Sequence, residues 1–266
     1  MQNFEFHRPK TVEEAVAALK KTDGDGKLLA GGQSLIPVLK HELAMPSALI
    51  SLADIGGLDQ IAAEGDAVVI GAKCTHAEVA ASDVVQGAIP ALAKLASHIG
   101  DPQVRHRGTL GGSVAHADPA ADYPAAVLAL GATIKTDRRE IKADDFFTGF
   151  FETPLEDDEI VTGVSFPKAE KSAYAKFASP ASKYAIVGVF VAKTSGGVRV
   201  AVTGAGPKVF RVTEMETALD ANFSSDAIKD IKVSADDLNG DVEANAEYRA
   251  HLVTVMARRA VDAANG

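Results

Sequence analysis

Cysteine is nearly absent from this chain: Cys74 is the single one in 266 residues. An intramolecular disulfide is therefore impossible, and so is a four-thiolate zinc or iron–sulfur site built by this chain alone. Tryptophan is missing altogether. No uninterrupted apolar run approaches the ~20 residues of a membrane-spanning helix. The opening MQNFEFHRPKTVEE lacks the apolar segment of a secretory signal. These absences make a cytoplasmic protein with no integral membrane segment the expectation. Basic residues are outnumbered, 27 Lys and Arg against 36 Asp and Glu, for a net charge of −9. A nucleic-acid face needs clustered cations, and the one basic cluster, Arg105-His106-Arg107, is too short to form one. Serine-hydrolase chemistry lacks its G-x-S-x-G turn. No internal repeat or low-complexity tract stands out.

What is present reads as a soluble α+β protein, 47% hydrophobic and 24% charged, long enough for a substantial core and more than one domain. Residues 11–21 have helical periodicity, with Thr11 as N-cap and Glu14 three positions on, a capping box. KLLA at 27–30 reads as a short strand, LIPVLKHEL after it as a helix, and SALISL at 47–52 and AVVIGA at 67–72 as further strands. Thr75 and Glu78 form a second capping box. Residues 87–100 read as one helix stopped by Gly100. A further short helix ends at Gly131, ahead of the strand ATIKT, and 159–167 alternates as a strand. From 184 to 206 two strands flank a Ser-Gly-Gly turn, a hairpin. The remainder is helical, notably 246–264. The expected division is a domain over 1–172, with subdomains of about 1–56 and 57–172, and a smaller domain over 173–266 with an antiparallel sheet and helices.

Two glycine pairs carry the chemistry. AGGQS, residues 30–34, lies between a strand and a helix. Glycine permits positive φ and has no Cβ to obstruct an incoming group, so loop N–H groups can point at an anion. Taken alone, AGGQS fits a plain turn as well as an anion site. It is neither a P-loop nor a G-x-G-x-x-G fingerprint. TLGGS at 109–113 repeats the pattern, two glycines between hydroxyls. Two such loops suit the two halves of a pyrophosphate, as in a dinucleotide held by backbone amides. On this reading, valine at Gly32 blocks the ligand and spares the fold.

Other residues have plainer readings beside functional ones. His116, Asp118 and Asp122 have the types and short spacing of a metal site, but Asp118 before Pro119 reads better as a helix cap. Asp122 stands close to a helix start and suits a ribose hydroxyl equally well. His7, His98 and His106 read as surface or packing residues, Cys74 as a packing residue, and the run at 156–159 as a solvated loop.

AGGQSLIPVLK followed by GTLGGSVAHADPAADYPA resembles the FAD-binding medium subunit of molybdenum hydroxylases, the family of the aerobic carbon monoxide, xanthine and nicotine dehydrogenases. The likeness extends to FEFHRPKTVEEAVAAL, IGDPQVRHRGTLGG, EIVTGVSFP and YAKF. The resemblance implies a two-subdomain FAD-binding region of the PCMH type followed by a C-terminal domain with an antiparallel sheet and helices. It implies FAD held by Ala30, Gly31, Gly32, Gln33 and Ser34, and by Thr109, Leu110, Gly111, Gly112 and Ser113. It further implies contacts from Asp122, the Val161 backbone and Lys176, the last beside the flavin, and it assigns no role to His116. It implies partners as well: a small iron–sulfur subunit and a large molybdopterin subunit, in a dimer of heterotrimers. The expected role is electron transfer through FAD to an external acceptor, with no catalytic side chain and no metal on this chain. A free-standing flavin oxidoreductase and a scaffold that has lost FAD are the alternatives.

Overall fold

The protein, seen in a computed structural model, is described over residues 3–266. Its first layer is a small parallel sheet. Strand β1 (Glu5–His7) leads to helix α1 (Val12–Lys20), strand β2 (Gly26–Leu29), helix α2 (Leu35–Lys40) and strand β3 (Ala48–Ser51). β3 lies between the other two strands and pairs parallel with both. It is buried along its whole length, which is why ALIS reads as a continuous apolar run rather than an alternating one. Thr11 caps α1 through the Glu14 amide, but Glu14 reaches back to the N–H of Lys10, one residue ahead of the partner a capping box predicts.

The second layer is a five-stranded antiparallel sheet in the order β4-β5-β8-β6-β7. Its strands are β4 (Ile61–Glu64), β5 (Ala67–Gly71), β6 (Thr133–Thr136), β7 (Glu140–Lys142) and β8 (Val161–Pro167). Between β5 and β6 run six short helices: α3 (His76–Ala81), α4 (Asp83–Ala88), α5 (Pro90–Ser97), α6 (Pro102–Arg107), α7 (Leu110–His116) and α8 (Tyr123–Ala129). Helix α9 (Ala143–Phe146) follows β7. The capping box of Thr75 and Glu78 is present at α3. The single helix expected over 87–100 is instead the end of α4 and a separate α5. Pro90 lacks an N–H and cannot continue α4, so it opens a new helix at a position where no N–H is required.

Third comes an antiparallel sheet in the order β12-β11-β10-β9, made of β9 (Lys171–Ala178), β10 (Ala185–Thr194), β11 (Gly197–Thr203) and β12 (Phe210–Arg211). Helix α10 (Thr213–Ala221) follows, and the long α11 (Ala246–Asn265) ends the chain. β10 serves two cores at once. Val187, Val189 and Val191 join the cluster under α11, while Phe190 and Ala192 join the cluster around α8. β9 obeys the same period of two: Ala175 and Phe177 pack toward α11, and Tyr174 joins the cluster around α8. Lys176, two residues on, shares the Tyr174 face and is thereby driven inward.

The segment between α7 and α8 is tied to this third layer. Thr203 Oγ1 donates to the carbonyls of Pro119 and Ala121 at 2.9 and 2.6 Å, and the Gly204 amide donates to Pro119 at 2.7 Å. One expected surface feature is partly interior. Glu159 is buried, with its carboxylate 2.8 and 2.6 Å from two nitrogens of Arg139. The bond to Arg139 is the largest cause of a carboxyl pKa lowered to about 2.

Candidate functional site

Both glycine motifs open on one cavity of about 620 Å³, within the roughly 300–1,000 Å³ of small-molecule sites. Every residue expected to bind the cofactor lines it, except Leu110 and Lys176. Leu110 is buried beneath the motif. A smaller cleft of about 480 Å³ between α1 and β6 contains neither motif.

The first motif is an open loop. β2 ends at Leu29, and Gly32 turns the chain with a φ of 74°, a conformation costly for side chains with a Cβ. The Gly32 carbonyl then accepts the Ile36 amide at 3.0 Å, starting α2. The amides of Gly31, Gly32, Gln33 and Ser34 have no hydrogen-bond acceptor among the described residues. That row of free donors at the cavity wall is what an anion needs.

The second motif is not the matching loop that the sequence suggests. It is the first turn of α7, capped by Thr109. Its amides are already engaged: Leu110 donates to Cys74, Gly111 to Ala72, Gly112 to Thr109 Oγ1 and Ser113 to the Thr109 carbonyl, at 2.9 to 3.2 Å. The second motif therefore contributes shape rather than free amides. A Cβ on Gly31 would lie 1.9 Å from the Arg107 carbonyl oxygen, and one on Gly111 would lie 2.5 Å from Ala72 Cβ. These two glycines let the motif backbones pack against their neighbours. Gly112 is exposed and lines the cavity, but a Cβ there would also meet the capping Thr109 Oγ1 at 2.8 Å. Valine at Gly32 does not spare the fold, because its φ is positive and its Cβ would meet the Ile36 side chain at 2.6 Å.

Asp122, read equally as a residue near a helix start and as a partner for a ribose hydroxyl, reaches the cavity wall with both oxygens engaged. Lys176 Nζ lies 2.9 Å from each of them, and the Tyr174 hydroxyl donates to Oδ1 at 2.5 Å. Lys176 also donates to the His98 carbonyl at 3.3 Å. Burial pushes the Asp122 carboxyl pKa up, and the Lys176 ammonium pulls it back. Lys176 is thus a compensated cation rather than a free charge on the cavity. The pair joins α8 to β9, a link no local sequence pattern announces.

Asp118 accepts the Ala120 amide at 2.8 Å, in a turn and not as the helix cap expected from Asp-Pro. No group of three or more His, Cys, Asp and Glu among the described residues is placed to hold a metal. His76 escaped the sequence reading. It lines the cavity, and its Nδ1 has no partner among the described residues. Burial first, and Arg105 second, lower its pKa to about 4, so it is neutral at pH 7. Phe151 and Tyr184 also line the cavity. The one available signal for Phe151 was a pair of phenylalanines between Gly149 and Glu152, where a turn ordinarily carries polar residues.

Residues 2–169 match the family described as the FAD binding domain in molybdopterin dehydrogenase, and 172–264 match the CO dehydrogenase flavoprotein C-terminal domain. The chain is 37% identical to the nicotine 6-hydroxylase medium subunit of Paenarthrobacter nicotinovorans, over 96% of this chain and 95% of that one. It is 36% identical to the carbon monoxide dehydrogenase medium chain of Hydrogenophaga pseudoflava, over 98% and 96%. A solved structure of carbon monoxide dehydrogenase from Hydrogenophaga pseudoflava, lacking the Mo-pyranopterin moiety of its cofactor, superposes with a TM-score of 0.90 at 37% identity, over 99% of this chain and 97% of that one. Quinoline 2-oxidoreductase from Pseudomonas putida 86 superposes at 0.89 and 27% identity, over 99% and 97%.

Proposed function

Since the chain belongs to the family of FAD-binding subunits of molybdopterin dehydrogenases, we propose that it passes electrons from iron–sulfur clusters on a partner chain to an external acceptor. It is an FAD-binding medium subunit of the molybdenum hydroxylase family, and its relatives are oxidoreductase subunits. FAD, when bound, supplies the capacity to exchange electrons singly on one side and in pairs on the other. What remains falls to the chain's own groups, which hold, orient and compensate charge.

The cavity fits such a group on chemical grounds. Four free amides at residues 31–34 suit the negative pyrophosphate, and Gly112 adds no side chain to the wall at the second motif. Ser113 and Gln33 add polar side chains at the same wall. The pyrophosphate is assigned to Ala30, Gly31, Gly32, Gln33 and Ser34 on one side and Thr109, Gly111, Gly112 and Ser113 on the other, with the Val161 backbone as a further contact to the cofactor. Leu110 supports the second motif from below. Asp122 and Lys176 act together, as a neutral buried pair that fixes the cavity floor.

With one cysteine, the chain holds no cluster of its own. The clusters are assigned to a small partner and the molybdenum centre to a large one, in a dimer of heterotrimers. The reacting substrate is chosen on the large partner. The observation that carries the reading is the row of unpaired amides at 31–34 in a cavity shared with the second motif. Purification from the native source tests it. The expected preparation contains three chains, with flavin and iron–sulfur absorption. A lone chain turning over its own substrate overturns the subunit reading in favour of a free-standing oxidoreductase. A complex whose medium chain never takes up FAD reduces it to a scaffold.

A further inference from the structure

Helix α7 shows the cavity one face. Gly112, Ala115 and His116 are exposed and line it, while Gly111 and Val114 face the core. Spacings of three and four put those exposed residues on one side of a helix. Two are small, so the face is a shallow shelf, and the His116 ring stands at its end. Against that ring lies Phe151, with centroids 5.0 Å apart and planes tilted by 50°.

Phe151 is an unusual residue for its place. It sits with Phe150 at the tip of a tight turn, closed by the Glu152 amide on the Gly149 carbonyl at 3.4 Å and by the Thr148 amide on the Glu152 carbonyl at 3.1 Å. Turn tips favour Gly, Asn or Asp, above all where φ is positive. Phe151 has a φ of 53° and is 44% exposed. An aromatic residue in the left-handed region is strained by ~1–3 kcal/mol. Among the described residues its ring joins none of the hydrophobic clusters, and its aromatic neighbours are His116 and Phe150. A local rule broken without a gain in packing points to a functional site.

We propose that Phe151 and His116 form a stacking wall for one planar heteroaromatic ring of the bound dinucleotide. Aromatic rings stack in offset or tilted arrangements, and a neutral imidazole beside a phenyl ring presents a flat, weakly polar surface to a flavin or an adenine. The shelf of Gly112 and Ala115 gives such a ring room next to the amides that hold the phosphates. This inference rests on the FAD reading and adds the side chains that grip a ring. The isoalloxazine and the adenine share the chemistry, and the test separates them.

The full chain, freed of flavin, is titrated with FAD, FMN, ADP and inorganic pyrophosphate by calorimetry. Failure of the unaltered chain to bind FAD refutes the FAD reading itself. Given that binding, Phe151→Ala is expected to weaken FAD about tenfold with pyrophosphate affinity and apoprotein melting temperature unchanged. A matching loss for FMN alone assigns the wall to the isoalloxazine, and a loss for ADP alone assigns it to the adenine. FAD affinity within twofold of the unaltered chain overturns the proposal. So does an equal loss for pyrophosphate, which would mean a disturbed loop. Phe151→Trp provides the second measurement. In a chain without tryptophan, its emission reports on that position alone, and FAD should bind within threefold and quench it. Unquenched emission at saturating FAD also overturns the wall.

Discussion

Removing the Lys176 ammonium should destabilise the protein far more than its modest contact area suggests. At 2.9 Å from both Asp122 oxygens, the pair attracts by about 6 kcal/mol at an effective dielectric constant of ~20. Desolvation offsets most of that, but removing one partner strands the other, at ~3–5 kcal/mol. Lys176→Met is therefore expected to lower unfolding stability by about 3–4 kcal/mol at pH 7. Asp122→Asn with Lys176→Met should recover much of the loss, because no buried charge then remains. The expected coupling is about 2–3 kcal/mol, measured by urea denaturation followed by far-ultraviolet circular dichroism. The pH dependence gives the deficit a distinct signature. Without the ammonium, Asp122 titrates higher in the folded than in the unfolded chain, since burial already raises it. The folded variant then binds more protons across that window, so its stability falls as pH rises and the deficit shrinks on acidification. Additivity of the two substitutions within ~0.5 kcal/mol, or a deficit that grows on acidification, would refute the account of a compensated pair.

Four further outcomes can be measured. Gly31→Ala should destabilise the apoprotein by ~2 kcal/mol or more, because its Cβ would sit 1.9 Å from a backbone carbonyl. Ala115→Leu, at an exposed position on the cavity wall, should instead leave the thermal midpoint within a few degrees and cut FAD affinity, read by flavin titration. The Glu159 carboxyl, held at about 2 against an ordinary 4.5 by Arg139, contributes stability that is complete above the ordinary value and is lost as pH falls through the folded one. Arg139→Ala should thus remove acid-sensitive stability between those values, visible as a flatter curve of midpoint against pH. Saturation with FAD at ~100 times its dissociation constant should raise stability by about 2.7 kcal/mol, and stripping the flavin should reverse it.

Much of the architecture was legible because it is local. Thr75 with Glu78 announces a helix start, and the Ser-Gly-Gly turn announces a hairpin. Each depends on groups a few residues apart. The break at Pro90 was legible in principle, but helical periodicity continues across it and masked the end of α4. TLGGS misled for a tertiary reason. Whether its amides are free depends on the Cys74 and Ala72 carbonyls, 36 and 39 residues earlier in the chain. The Asp122–Lys176 pair depends on β9 being placed against α8, which no local pattern encodes. Glycine conservatively read as room for a ligand was, at Gly31 and Gly111, room for the protein's own backbone. The two motifs nevertheless line one cavity, whatever their amides do.

The stitching of residues 119–121 to Thr203 and Gly204 bears on how such subunits can be recombined. The two family matches meet between 169 and 172, which invites cutting there and exchanging halves between relatives. Yet the segment that floors the cavity belongs to the N-terminal match by descent and to the C-terminal one by its hydrogen bonds. A chimera joined at that seam inherits a floor from one parent and its fastenings from the other. Lineage and mechanical unit are different partitions of this chain, and a viable exchange must carry 118–122 together with 174–176 and 203–204 as one cassette.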